Sequence, residues 1–133
     1  MIPEFDEHGY LPPGIHRASL EEVAKRFGEE SELRRVQMQS VRWLVDLAAR
    51  AGAERVILNG SFVTEVLEPN DVDCVLLIGP RFPQDSGAES ELLVGLPFLE
   101  IALVGQEAFA LLTETFFSTD RQYIEKGMIE VVT

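Results

Sequence analysis

Residues 55–78 read "RVILNGSFVTEVLEPNDVDCVLLI": two apolar runs joined by a Gly-Ser turn and an acidic approach. The first, "RVIL" (55–58), is short and β-branched and runs into Asn59-Gly60, which predicts a buried strand ending in a tight turn. The second, "DVDCVLLI" (71–78), predicts another strand, headed by two aspartates. Asp71 and Asp73 alternate with Val72, so on a strand they project from one face about 6.6 Å apart along the chain. Two carboxylates so placed repel each other unless something positive sits between them. Cys74 alternates to the opposite face from Asp73 and reads as core, in keeping with the burial habit of free cysteine.

Working outward, the chain before this stretch is helical. "HGYLPPGIH" (8–16), with two Gly and two adjacent Pro, is an extended or turning part of a lead-in spanning 1–18. "SLEE" (19–22) forms a capping box, Ser19 as N-cap with Glu22 three residues on, and Gly28 closes that short helix. From about Glu30 to Ala51, Leu33, Val36, Val41, Leu44, Leu47, Ala48 and Ala51 recur at three- and four-residue steps, with Arg34, Arg35, Arg42, Asp46 and Arg50 on the other side. Gly52 is the expected stop. After the central stretch, "GPRFPQDSGAESE" (79–91) reads as a loop, "PFLEIALV" (97–104) as a third strand, "QEAFALLTETFF" (106–117) as a helix and "GMIEVV" (127–132) as a fourth strand. Helices and strands without strict alternation predict an α/β (α+β) domain over 1–133, its mixed four- to five-stranded sheet covered mainly on one face.

Composition narrows the function. The 133 residues are 46% apolar, with 23 acids against 11 bases and a net charge of −12. Long nucleic-acid duplexes are poor partners for such a surface, because phosphate contacts need clustered Lys and Arg. A basic protein or a metal-complexed nucleotide suits it better, although acidity by itself also serves solubility. Apolar runs fall far below the ~18 residues that span a bilayer. "MIPEFDEHGY" carries acids where a secretory leader needs a basic start, and the single cysteine excludes an internal disulfide. A cytoplasmic, membrane-free protein is the expectation.

Glu100 bears on the paired aspartates. It stands between Leu99 and Ile101 in a run that reads as fully buried, where a lone carboxylate is costly to ionise. On a strand beside 72–78 it completes an acidic cluster with Asp71 and Asp73. Such a cluster calls for a cation, and carboxylate oxygen is the ligand type of Mg²⁺ and Mn²⁺, which combine a few carboxylates with waters and substrate phosphates. Gly60 lets the backbone approach a phosphate closely, and the amides of Ser61 and Phe62 can donate to it.

Gly60-Ser61, nine intervening residues, Asp71-Val72-Asp73 and the later triplet Leu99-Glu100-Ile101 resemble the signature of the DNA polymerase beta-like nucleotidyltransferase superfamily. "LPPGIH", "NGSFVT…PNDVD" and "DRQYIEKGMIEV" together resemble a family of small bacterial nucleotidyltransferase-like proteins of unassigned function. The resemblance implies a minimal nucleotidyltransferase fold and transfer of a nucleoside monophosphate from an NTP to a hydroxyl of a protein or RNA, with two divalent ions. In related small enzymes that chemistry belongs to toxin-antitoxin and phage-defence modules. It also implies that Asp71 and Asp73 hold the metals, that Glu100 helps hold the second and activates the acceptor, and that Gly60 and Ser61 meet the terminal phosphates. Many small members carry an Arg-Gly soon after the turn. Here "FVTEVLEPN" has no base, so phosphate charge is expected to lean almost wholly on the metals.

Plainer readings stand beside these. Asp71 fits a turn after Pro69-Asn70, Glu100 fits a salt bridge with Arg55 or Arg81, and His8 and His16 fit surface loops. Asp120-Arg121 and Lys126-Gly127 fit a structural turn, with a phosphate-binding role for Lys126, long enough to reach a triphosphate, as the alternative. A catalytically silent acidic subunit that covers a basic partner, antitoxin-like, is the alternative function.

Overall fold

The computed structural model describes residues 1–132, the side chain of Phe116 excepted. Thr133, the end of the expected domain, lies outside the described residues. Five strands form one mixed sheet: β1 (Ile15–Ser19), β2 (Arg55–Asn59), β3 (Val72–Leu77), β4 (Leu99–Val104) and β5 (Met128–Val132), in the order β1-β5-β2-β3-β4. β1 runs parallel to β5 and β3 parallel to β4, while β2 is antiparallel to both its neighbours. Four helices accompany them: α1 (Leu20–Phe27), α2 (Glu32–Ala51), α3 (Ser86–Val94) and α4 (Gln106–Leu111). The fold is mixed α/β, as the sequence predicts.

Local chemistry sets the helix ends. Ser19 Oγ accepts from the Glu22 amide and Glu22 returns the bond to the Ser19 amide, the full capping box. Ser31 caps α2 by accepting from the Arg34 amide, and Gly52, at φ 86, ends it by donating to Ala48 and Ala49. A left-handed residue there is cheap only for glycine.

The period-2 alternation of the strands divides the core in two. Leu58, Cys74, Leu76 and Ile129 face α1 and α2 in the larger cluster; Ile57, Val75, Leu77 and Met128 face Phe109 of α4 in the smaller. Cys74 is buried as expected, and burial pushes its thiol up.

Several expectations need correction. The lead-in is partly strand: β1 is an edge strand with mostly half-exposed residues, so its alternation is weak. His16 lies on it, its ring nitrogen 2.7 Å from the Pro12 carbonyl. The 79–91 loop gives way to α3 at Ser86, capped by Asp85 Oδ1 accepting from Ala88, and only Ala88 and Leu92 of it are buried. Two buried anchors, with the apolar Leu93 and Val94 exposed beside them, leave little periodic signal. The helix at 106–117 changes at Leu112 into a π-helical turn that runs to Phe116. β4 is an edge strand, not a buried one, and Glu100 is exposed.

The largest correction is in α2. Arg34, assigned to the polar side, is 2% exposed, and Val36, assigned to the core, is 46% exposed. The first turns of α2 face the chain that follows β2, not the apolar sheet, and there the surface to be satisfied is backbone oxygen. The Arg34 guanidinium donates to the carbonyls of Phe27, Ser61, Phe62, Thr64 and Val66. Buried carbonyls require donors, and one guanidinium supplies five in a fixed fork.

Candidate metal and phosphate site

Register brings the acidic residues together. Asp73 of β3 is paired with Asn59 of β2 on one side and with Glu100 of β4 on the other. Residues directly opposite across strands project to the same face, so Asn59, Asp73 and Glu100 form one row. Asp71 precedes the strand by one residue and shares the parity of Asp73.

Electrostatics agree with this placement. The Asp73 carboxyl is pushed above the ordinary aspartate range, first by burial, then by the negative charge of Glu100, then by that of Asp71, and by a hydrogen bond shared with Glu100; Lys126 opposes the shift. Glu100 thus acts on Asp73 through both charge and a hydrogen bond, and Asp71 through its charge. Among the described residues no group of three or more His, Cys, Asp or Glu side chains is placed so that it could hold a metal ion. The Arg55 alternative for Glu100 is closed, because Arg55 forms a two-pronged pair with Glu130 at 2.6 and 3.1 Å.

The Gly-Ser turn packs on Asp73. Gly60 opens a single 3-10 turn, Gly60–Val63, with φ 76. A Cβ on Gly60 would lie 2.1 Å from Asp73 Oδ2, so only glycine lets the backbone rest against that carboxylate. Thr64 closes the turn through its amide and hydroxyl, both donating to the Ser61 carbonyl. Beneath it, Arg34 pins the Ser61 and Phe62 carbonyls. In a trans peptide the N–H points opposite to its C=O, so pinning these oxygens fixes the amides that follow them. Gly60→Ala is expected to cost about 1–2 kcal/mol in a urea titration, from left-handed strain alone, and to displace the Asp73 carboxylate. A variant as stable as the wild type would contradict the contact.

Gly60, Ser61 and Asp73 form one wall of a cleft of about 620 Å³, whose other lining residues are Phe117, Thr119, Asp120, Arg121 and Lys126. Its size falls within the range of small-molecule sites. The segment from Thr119 to Glu125 is a small hairpin closed by a bridge between those two residues. Asp120 holds its tip, Oδ1 accepting from the Gln122 and Ile124 amides and Oδ2 from the Tyr10 hydroxyl at 2.7 Å. Lys126 thus stands in the cleft, with Arg121 beside it, a base that sequence reasoning assigned only to a structural turn. The turn is real and carries the base.

Asn59 was also missed. It is fully buried, and neither its Oδ1 nor its Nδ2 has a hydrogen-bond partner among the described residues. It lies at the base of the row, next to Gly60.

One pH dependence follows for the metal-free protein. A carboxyl raised on folding keeps its proton in the native state over an interval in which the unfolded chain has lost it. Stability therefore falls as pH rises from the ordinary aspartate value to the raised one, and Asp73→Asn abolishes that fall. Melts in EDTA from about pH 4 to about pH 8 should show Asp73→Asn gaining on the wild type as pH increases; a gap that does not change with pH would contradict the burial and crowding of this group.

No helix is long and apolar enough to cross a membrane among the described residues. Neither a curated protein nor a solved structure is matched by the chain. A family model covers residues 3–132, and on that match the chain belongs to the group described as "Family of unknown function (DUF6932)".

Proposed function

We propose that the protein is a metal-dependent nucleotidyltransferase, moving a nucleoside monophosphate from an NTP to a hydroxyl of a protein or RNA. The observation that carries this reading is the row of Asp73 beside Glu100 on adjacent strands, with Asp71 contributing its charge and Gly60 seated against Asp73. The donor set fits a hard divalent ion, since it is all carboxylate oxygen. Asp71, Asp73 and Glu100 are the residues that would hold Mg²⁺ or Mn²⁺, which would neutralise the phosphate charge and stabilise attacking and leaving oxygens.

The chain's own groups then have distinct tasks. Gly60 and Ser61 bring backbone amides and a hydroxyl to the phosphates, and Lys126 offers a charge from the facing side. Glu100, on an exposed edge strand, is reachable by an acceptor hydroxyl and can take its proton. As the acceptor oxygen bonds to the α-phosphorus, the bond to the bridging oxygen breaks and pyrophosphate leaves. No nucleophilic side chain is required, and buried Cys74 takes no part.

The test is incubation with each of the four α-phosphate-labelled NTPs, Mg²⁺ and a cell lysate. Label transferred to a macromolecule and lost in EDTA is expected. No transfer from any NTP, with no nucleotide binding, would overturn the reading.

A further inference from the structure

Asn59 is the buried side chain whose donor and acceptor are both unused among the described residues, and it is 0% exposed. A buried amide in that condition works against folding, and a local conflict of this kind is expected at functional sites. Packing gives no reason for it. Ile57, two residues back on the same face of β2, belongs to the apolar cluster of Val75, Met128 and Phe109, and a valine at position 59 would extend that cluster. What Asn59 stands against instead is Asp73, its direct partner across the β2 and β3 pair, where opposed side chains are about 5 Å apart. The next residue, Gly60, rests its backbone against Asp73 Oδ2. In the metal-free protein Asp73 is bonded toward Glu100, on its other side, and Asn59 is left without a partner.

We propose that Asn59 is a positioning residue for Asp73: its Nδ2 donates to the Asp73 carboxylate once Asp73 and Glu100 hold a divalent cation. This rests on the metal-dependent reading of the site and adds to it the residue that aims the central carboxylate. A carboxylate that ligates a metal is itself held in orientation by a hydrogen bond from a neighbouring group. Order along the row decides which residue can give that bond. Asn59 and Glu100 lie on opposite sides of Asp73, so Asn59 cannot share a cation that sits between the two acids. It is placed to donate to Asp73 from the other flank. The free protein carries the unsatisfied amide and the loaded protein uses it, so binding relieves a conflict that folding leaves in place.

Thermal melts, calorimetry and NMR on the full chain test this. In EDTA, Asn59→Val should melt at or above the wild-type temperature, because it removes the two unsatisfied buried atoms of Asn59. In calorimetry with Mn²⁺ and a non-hydrolysable NTP, the same variant should bind about tenfold more weakly than the wild type, the usual effect of removing a group that orients a metal ligand. In NMR spectra of the wild type, the side-chain amide signal of Asn59 should shift when Mg²⁺ is added with that NTP, and the shift should be absent in Asp73→Asn. If Asn59→Val binds as the wild type does while Asp73→Asn does not, the role given to Asn59 is wrong and the nucleotidyltransferase reading stands. A steep fall in the melting temperature of Asn59→Val would show that the amide is already partnered in the free protein, and an Asn59 signal unmoved in a wild type that binds would show that Asp73 is not its acceptor; either result overturns the proposal. If the wild type binds no metal-nucleotide complex at all, both fall.

Discussion

Replacing Asp73 with Asn will abolish Mg²⁺-dependent label transfer, lowering its rate about 10³-fold or more, while leaving the protein folded. Asn keeps the shape and removes the charge, and it is the charge that a divalent ion needs. Metal stabilisation of a phosphoryl transition state is worth several kcal/mol, and each 1.36 kcal/mol is a factor of ten. The same substitution relieves crowding in the metal-free state, where Asp73 is half-buried beside Glu100 and Asp71. Asp73→Asn is therefore expected to raise the melting temperature in EDTA at neutral pH and to erase any rise on adding Mg²⁺ with NTP. A gain in stability coupled to a loss of turnover separates a functional carboxylate from a structural one. Transfer within tenfold of the wild type would remove Asp73 from the site.

Arg34→Met will destabilise the fold by about 3–5 kcal/mol, because the carbonyls of Phe27, Ser61, Phe62, Thr64 and Val66 lose their common donor. An unsatisfied buried acceptor costs about 1–3 kcal/mol, and partial relaxation or water entry keeps the total below the sum. For a chain of this size the melting temperature should fall by about 10–20 °C. Burial holds the guanidinium below its usual basicity, with Glu30 nearby opposing the shift, yet arginine stays charged at any working pH. Mg²⁺ and nucleotide should not restore the lost stability, since the defect lies beneath the Gly60–Val63 turn and not in the carboxylate row. A fall of less than about 3 °C would show that the turn does not depend on this residue.

The parts of the fold that were legible in the sequence are those in which local chemistry and burial agree. The Ser19–Glu22 box, the Gly52 stop and the strands read at 55–58 and 71–78 satisfy propensity, capping and period together, so no tertiary knowledge is needed. The pairing of Asp73 with Glu100 was legible because each interrupts an apolar run at strand spacing on neighbouring strands. The elements that were misread each lack one of those signals. α3 has only Ala88 and Leu92 to bury, and β1 is held by pairing with β5 rather than by its own alternation. Arg34 and Val36 exchanged sides because hydropathy describes a helix against an apolar surface, and here the facing surface is backbone oxygen. Arg121 escaped notice because nothing in "DRQYIEK" says which cleft the turn will border; only the Tyr10 and Asp120 contact does.

The central claim is that carboxylates from β3 and β4 share a divalent cation. Anomalous scattering from a crystal grown with Mn²⁺ and a non-hydrolysable NTP tests it most directly. The account predicts a manganese peak between the carboxylates of Asp73 and Glu100, with the phosphate chain over Gly60 and Ser61. Manganese found elsewhere on the surface, with the space between those two carboxylates empty, would contradict it.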